Sequence, residues 1–297
     1  MRILAAVDQY PYSVVAVEEV AKLALNTWAD VTLIGVGPKL TSKRSRSGEF
    51  PAAQALDQSF KDAIRRYREN FLSYFQGEDS PYQQQRCGYE FIEVDKGRWE
   101  ELYVCRGARK DLKVRIRQGK PAAQILAESY EEGVDLIVIG CDQALNCTWQ
   151  GIDGIPQKIA NNAACSVLIV KDAPKINRMV CCLDHDRVSQ ASLEMINQMV
   201  TLHHAELELV GVTTGEALRA DVERKMDLIT RYYSARNVKS WIKLVEIADL
   251  ETFIKQEAQG SLVALWMGEK SILEKFFPMK KVVRLISASQ SSVLILR

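Results

Sequence analysis

The chain is predicted to be an α/β protein of two tandem open parallel sheets with helices on both faces. Three observations carry that prediction. First, the chain is written twice: Arg2-Ile3-Leu4-Ala5-Ala6-Val7-Asp8, with Ser13 following, returns as Arg178-Met179-Val180-Cys181-Cys182-Leu183-Asp184, with Ser189 following, at an offset of 176 residues. At the same offset Ala29-Asp30-Val31-Thr32-Leu33-Ile34-Gly35-Val36 returns as Ala205-Glu206-Leu207-Glu208-Leu209-Val210-Gly211-Val212. A third echo, Ser166-Val167-Leu168-Ile169 against Ser292-Val293-Leu294-Ile295, sits at an offset of 126. Second, the central strand candidates are continuous apolar runs, as expected where both faces are covered. Third, those runs alternate with amphipathic helical patterns. Two copies of one strand–helix program imply two similar domains, expected over residues 1–172 and 176–297.

Each copy is long enough to bury its own core. With 39 Lys+Arg against 38 Asp+Glu, the chain lacks the broad positive field that nucleic-acid binding draws on. The seven cysteines are odd in number and scattered, mostly among apolar residues. They read as buried hydrophobes in a reducing compartment, with no disulfide framework expected. The apolar run Ile3–Val7 is too short for a signal core, and no stretch is long enough to span a bilayer, so a soluble cytoplasmic protein is expected.

In the first copy, Ile3–Val7 is a strand and Ser13 is placed to cap a helix running to about Ala24. Val31–Val36 is the second strand. Thr41–Gly48, with Lys43, Arg44 and Arg46 among serines, reads as a basic loop. A helix is expected from about Pro51 to Phe75 on the stripe Leu56, Phe60, Ile64, Tyr67 and Phe71. Within 78–110 only Tyr89–Ile92 and Trp99–Val104 are apolar enough to pack. Leu112-Val114-Ile116 alternates with Lys113-Arg115-Arg117, a half-buried strand best placed at a sheet edge. Gly119-Lys120-Pro121 opens a helix to about Glu132, and Val134–Ile139 is a fully apolar strand. A loop from Gly140, a helix near Gln157–Ala163 and the strand Val167–Val170 close the copy.

After the linker Asp172-Ala173-Pro174-Lys175 the order repeats, through strands at Met179–Leu183, Leu207–Val212, Val238–Val245, Leu262–Met267 and Ser292–Leu296. Helices Ser189–Leu202, Glu216–Tyr233, Leu250–Gln259 and Met279–Ser287 lie between them. Between its second and fourth strands the first copy is longer by 48 residues, an excess expected to hold an extra or longer helix with its loop.

In open parallel sheets the binding crevice lies beyond the carboxyl ends of the strands, where the strand order reverses. Here that puts Asp8 and the loop beginning Gly140-Cys141-Asp142-Gln143 at the site. The carriers Ile3–Asp8 with Ser13, Asp135-Leu136-Ile137-Val138-Ile139-Gly140 and Ala163-Ala164-Cys165-Ser166-Val167-Leu168-Ile169-Val170 resemble the universal stress protein family, and the resemblance covers both copies. It implies an adenine-nucleotide alpha-hydrolase-like fold of five-stranded sheets in the order 3-2-1-4-5. It also implies an intramolecular pseudo-dimer through the fifth strands, with homodimer formation as a further option and an unknown protein partner.

ATP-binding members of that family carry G-x2-G-x9-G-[ST] after the fourth strand. Glycines let backbone N–H groups approach phosphates, and a helix start with a hydroxyl completes the cradle. Gly140 matches the first glycine and Gln143 replaces the second. An ungapped alignment puts Asp153 at the third glycine and Gly154 at the hydroxyl; a one-residue slip restores Gly154 and leaves Ile155 where the hydroxyl belongs. Asp153 would repel a triphosphate, and Pro156 removes a donor from the helix start. By this resemblance ATP or AMP would meet Asp8 at adenine or ribose, Val36 at the base, and Gly140, Gln143, Gly154 and Ile155 along the phosphates.

The second copy has lost more: Glu269-Lys270-Ser271-Ile272 follow Gly268, and Met279-Lys280 take the last positions of the motif. Three functional readings stand. The first is a non-enzymatic stress-linked regulatory or scaffold protein with a degenerate nucleotide site. The second is a slow ATPase or ATP-binding switch at that site, and the third is a thiol sensor on Cys141 and Cys147. No metal site is expected, because only His185, His203 and His204 are present and none accompanies the loop cysteines. No nucleic-acid or membrane partner is expected.

Overall fold

The structure, a computed structural model, describes residues 1–38, 57–77, 80–82, 89–103, 109–142, 147–171, 175–183, 188–214, 219–257, 260–267, 279–289 and 291–297. The basic loop Thr41–Gly48 and the linker residues Asp172–Pro174 lie outside them. The chain divides into two compact units, Met1–Ile137 and Val138–Arg297. Among the described residues no helix is long and apolar enough to cross a membrane.

In the first unit, β1 (Arg2–Val7), α1 (Tyr12–Thr27), β2 (Asp30–Gly37) and α2 (Gln58–Ser73) follow in order. Then come β3 (Tyr89–Asp95), β4 (Arg98–Tyr103), β5 (Leu112–Gln118), α3 (Pro121–Glu131) and the start of β6 (Leu136–Gly140). The sheet runs β1-β2-β5-β4-β3. β1, β2 and β5 are parallel, and their inward side chains form a continuous core under α1 and α2. Helix α2 starts at Gln58, not near Pro51, because Asp57 is extended and caps it, accepting from Ser59 N at 3.0 Å.

Two expectations fail here together. The excess of the first copy includes no described helix between β2 and β5 beyond α2; it contributes instead the antiparallel hairpin β3–β4. That hairpin pairs with β5 through β4, so the charged strand lies between β2 and β4 and is not an edge. Its arginines are held inside by carboxylates. Arg117 and Glu128, each 2 % exposed at the side chain, meet at 2.8 Å, and Arg115 reaches Glu128 at 2.5 Å, Glu132 at 2.6 Å and Glu100 at 3.0 Å. Arg117 Nη1 also donates to Trp99 O at 3.2 Å. On β4, Glu101 is buried against Arg68 of α2 at 2.5 Å, an ion contact without hydrogen-bond alignment. The alternation of charge along Leu112–Gln118 thus records buried ion pairs, with Arg115 holding the Glu132 carboxyl below its ordinary range.

In the second unit, α4 (Ile155–Asn162) and β7 (Ser166–Val170) follow β6. The repeat then gives β8 (Arg178–Leu183), α5 (Gln190–His203), β9 (Glu206–Thr213), α6 (Arg219–Ser234) and β10 (Ser240–Glu246). It closes with α7 (Leu250–Glu257), β11 (Ser261–Trp266), α8 (Met279–Ala288) and β12 (Val293–Leu296). The sheet runs β10-β9-β8-β11-β12-β7-β6. Counted within the second copy, β10-β9-β8-β11-β12 is the order 3-2-1-4-5, but this unit is not an isolated five-stranded parallel sheet: β12 continues into β7 in antiparallel register, Val293 opposite Ile169 and Ile295 opposite Val167. The α/β class holds; the separation into two independent parallel sheets does not.

That seam is reciprocal. The offset of 126 relates Ser166 to Ser292, Ala160 to Ile286 and Lys171 to Arg297. Lys171 N donates to Ser292 Oγ at 3.1 Å, and Arg297 N donates to Ser166 Oγ at 3.3 Å. Lys171 Nζ donates to Ile286 O at 2.6 Å and to Ser289 O, at the end of α8; Arg297 Nη2 donates to Ala160 O at 2.7 Å and Asn161 O at 3.2 Å, at the end of α4. Each strand therefore ends in a cation that satisfies the orphan carbonyls of the helix beside the other strand. Burial pushes the Lys171 ammonium down to about 8.

Other repeated residues have equally structural roles. A Cβ on Gly35 would lie 2.8 Å from Ile64, and one on Gly211 would lie 2.8 Å from Leu244 and 2.9 Å from Val222. Neighbouring side chains close over both glycines, so neither position has room for a side chain. Arg2 Nη1 donates to Glu132 O at 2.6 Å at the end of α3, and Arg178 Nη2 meets Glu257 Oε2 at 2.5 Å at the end of α7.

Glu128→Gln should lower stability by roughly 3–5 kcal/mol, because it strips the charge partner from buried Arg117, whereas Glu132→Gln at the half-exposed end should cost under about 1 kcal/mol. Urea unfolding of the two variants checks the ordering. Lys171 is charged in the unfolded chain up to its ordinary 10.5 but only to about 8 when folded, so wild-type stability should rise with pH between those values. Lys171→Met should lack that rise when both are unfolded across the same pH series.

Candidate functional site

Asp8 follows the last residue of β1 and is completely buried. A buried carboxylate must be supplied with donors, and here the next five residues supply them. Tyr10 N donates to Oδ1 at 2.9 Å, Ser13 Oγ donates to Oδ1 at 2.8 Å, and the Tyr12 hydroxyl donates to Oδ2 at 2.5 Å. The Asp8 N–H in turn donates to Ser13 Oγ at 3.0 Å. Ser13 is therefore not the helix cap expected from the sequence. The cap position is Pro11, without a side-chain cap bond, and Ser13 sits in the first turn of α1 facing Asp8.

Aromatic side chains cover the arrangement. The rings of Tyr10 and Tyr12 stack at 5.7 Å with 6° between planes, and the Tyr67 hydroxyl of α2 donates to Tyr10 O at 3.2 Å. Burial first, and the nearby Asp8 charge second, push the Tyr67 phenol up to about 12. The closure was present in the sequence as Tyr10, Tyr12 and Ser13 at two, four and five residues after Asp8, a spacing that one turn brings back onto the carboxylate. Val36, at the end of β2, is fully buried.

The second expected part of the site belongs to the other unit. Gly140 ends β6, and Cys141 N donates to Val170 O at 3.2 Å. Gln143 lies outside the described residues. Cys141 and Cys147 form a disulfide with Cα atoms 4.9 Å apart. They are 1 % and 0 % exposed, and the bond between them corrects the expectation of a chain without disulfides. Spacing alone did not reveal the pair; a return of the loop within six residues does.

The loop is also bridged by Asp142 N to Thr148 O at 3.1 Å. The exchange between Trp149 and Ile152, at 3.1 and 2.9 Å, closes a two-residue turn whose Gln150 and Gly151 are both left-handed, at φ 53° and 69°. Gly154 is left-handed at φ 74° and precedes α4, Ile155 is the buried first helical residue, and Pro156 follows it. Asp153 is exposed. Trp149 is 0 % exposed, and its indole N–H has no acceptor among the described residues.

In the second copy, Asp184 and the loop through Lys270 lie outside the described residues, and Lys280 is exposed in the first turn of α8. Ser189 caps α5, accepting from Ser192 N at 3.1 Å, unlike its counterpart Ser13. Cys181 and Cys182 are buried in β8, where burial pushes both thiols upward, Cys182 to about 12. Among the described residues no group of three or more His, Cys, Asp or Glu side chains is placed to hold a metal ion.

A family model described as the universal stress protein family matches residues 1–171. No curated protein matches the chain in sequence. In fold it is similar to a putative universal stress protein from Pseudomonas aeruginosa UCBPP-PA14, at 13 % identity and TM-score 0.59, covering 99 % of this chain and 92 % of that one. A universal stress protein from Archaeoglobus fulgidus DSM 4304 aligns at 12 % identity and TM-score 0.57, covering 100 % and 96 %. The cytoplasmic domain of a prokaryotic cation chloride cotransporter aligns at 10 % identity and TM-score 0.54, covering 99 % and 94 %. At these identities the likeness is one of fold.

If Asp8 is held by its own neighbours, Tyr12→Phe leaves a buried carboxylate oxygen short of a donor and should cost about 1–3 kcal/mol. Tyr10→Phe, which keeps the donating backbone N–H, should leave thermal stability nearly unchanged.

Proposed function

The chain belongs to the universal stress protein family, and from that premise we propose that it is a non-enzymatic regulatory or scaffold protein of the stress response whose nucleotide site is degenerate. The observation that carries this reading is the state of Asp8. Both of its carboxylate oxygens are engaged by Tyr10, Tyr12 and Ser13, and the group is fully buried. Because Asp8 is fully buried, a ribose or adenine reaches it only if the side chains over it, Tyr12 among them, move.

The phosphate end supports the same reading independently. Gln143 stands where the family motif has a glycine, Asp153 brings an exposed carboxylate, and Pro156 cannot donate from the helix start. A disulfide and two short-range bridges tie Cys141 and Asp142 to Cys147 and Thr148, and Trp149 to Ile152, where the family motif would place its phosphate loop. Together these residues argue against a tightly held triphosphate. We take the working halves to be 1–172 and 176–297, paired within the chain through β7 and β12, with an unidentified protein as partner.

Mass spectrometry of the purified protein after denaturation should show no co-purified ATP or AMP, and Mg-ATP should not shift its melting temperature. Bound nucleotide together with turnover would instead establish the ATPase or switch reading. Asp153→Gly should strengthen whatever residual nucleotide binding calorimetry detects; unchanged or weaker binding would place Asp153 away from the phosphate path.

A further inference from the structure

The two copies differ at the strand that lies third in each order. In the first copy that strand is β5, and β4 covers its outer edge in antiparallel register, Trp99 opposite Ile116 and Glu100 opposite Arg115. In the second copy it is β10, which pairs with β9 and stands outermost in the sheet among the described residues. Register sets the correspondence. Val31 pairs with Leu112 and its repeat equivalent Leu207 pairs with Ser240, so Val114, Arg115 and Ile116 answer to Ile242, Lys243 and Leu244. Burial shows what the uncovered strand has lost. Val114 and Ile116 are 3 % and 0 % exposed, whereas Trp241, Ile242 and Leu244 are only half-buried. Arg115 has Glu100 of the covering strand at 3.0 Å; Lys243 meets Glu257 of α7 at 3.3 Å and Glu208 of β9 at 3.9 Å, with no counterpart of Glu100 among the described residues. Edge strands are usually blunted by bulges, prolines or charges. The other outer strand, β3, has a register shift between Glu93 and Asp95 and exposed carboxylates on Glu90, Glu93 and Asp95. β10 has no proline and keeps an unbroken register over seven residue pairs.

We propose that the outer edge of β10 is a docking site for an extended segment of a protein partner, added antiparallel as β4 is added to β5. The first copy also supplies the chemistry of the occupant. An acidic side chain opposite Lys243 takes the place that Glu100 holds beside Arg115, and an aromatic one opposite Leu244 takes the place of Trp99 beside Ile116. Half-buried Ile242 calls for an apolar side chain opposite it. Backbone N–H and C=O groups along the edge give affinity, and the order aromatic, acidic, apolar gives specificity. Two copies joined through β10 and centred on Lys243 would set like charges opposite each other, which disfavours that pairing. The inference rests on the scaffold reading for the nature of the partner, a protein, and not on the state of the nucleotide site.

The test titrates the full chain with a fluorescein-labelled peptide, Thr-Thr-Trp-Glu-Val-Thr-Thr, followed by anisotropy. Binding should saturate and should slow amide exchange over 240–246 while leaving 89–95 unchanged. Replacing the peptide's Glu by Lys should weaken binding by roughly fivefold. Lys243→Glu should weaken the original peptide to a similar degree and favour the Lys peptide; if that variant does not fold, the Lys peptide against the wild type decides. Of the two alternating patterns of backbone N-methylation, the one facing β10 should abolish binding and the other should be tolerated. Absence of saturable binding overturns the proposal, as does binding indifferent to the charge swap and to N-methylation, or protection that falls outside 240–246. A concentration-dependent dimer that protects 240–246 without peptide also overturns it, by giving the edge to a second copy. Co-purified nucleotide would sink the degenerate-site reading and leave each of these outcomes as it stands.

Discussion

A charge removed from water must find its partner inside the protein, at a cost of several kcal/mol if it does not. In this chain that constraint ties together features that look unrelated along the sequence. Arg117 and Glu128 fasten α3 and the hairpin β3–β4 to β5, while Arg68 and Glu101 fasten the same hairpin to α2. Lys171 and Arg297 fasten the seam between β7 and β12. Asp8 draws Tyr10, Tyr12 and Ser13 around itself. The same requirement builds the insertion, joins the repeat and encloses Asp8.

Duplication explains why the seam is balanced. Equivalent serines accept the equivalent backbone donors, and equivalent cations reach equivalent helix ends, so one polar solution is used twice. Gly35 and Gly211, with Arg2 and Arg178, belong to the same class of retained positions. What the copies share is the means of packing and capping. What they do not share is the role of the serine that opens the first helix: Ser189 caps α5, while Ser13 serves Asp8.

Much of this was legible in the residues. The repeat, the apolar strand runs and the family resemblance gave the class and the positions of nearly every strand. The edge placement of Leu112–Gln118 failed because alternating charge looks the same whether it faces water or a buried carboxylate; only the partners Glu100, Glu128 and Glu132, brought from other elements, distinguish the two. The hairpin was missed because Tyr89–Asp95 mixes acids with apolar residues and lacks a clear period. For the expected site residues Asp8, Gly140 and Gly154, the sequence left the local chemistry hidden. A donor such as Tyr12 is recognised only once the turn brings it onto the carboxylate, and a disulfide only once the loop returns.

The central claim is that Asp8 belongs to the protein's own hydrogen-bond network and not to a ligand. A crystal structure of the protein grown with millimolar Mg-ATP tests it most directly. The account requires the Tyr12 hydroxyl to remain on Asp8 with no nucleotide density beyond β1. Tyr12 swung away, with a ribose or adenine in its place on the carboxylate, would contradict it.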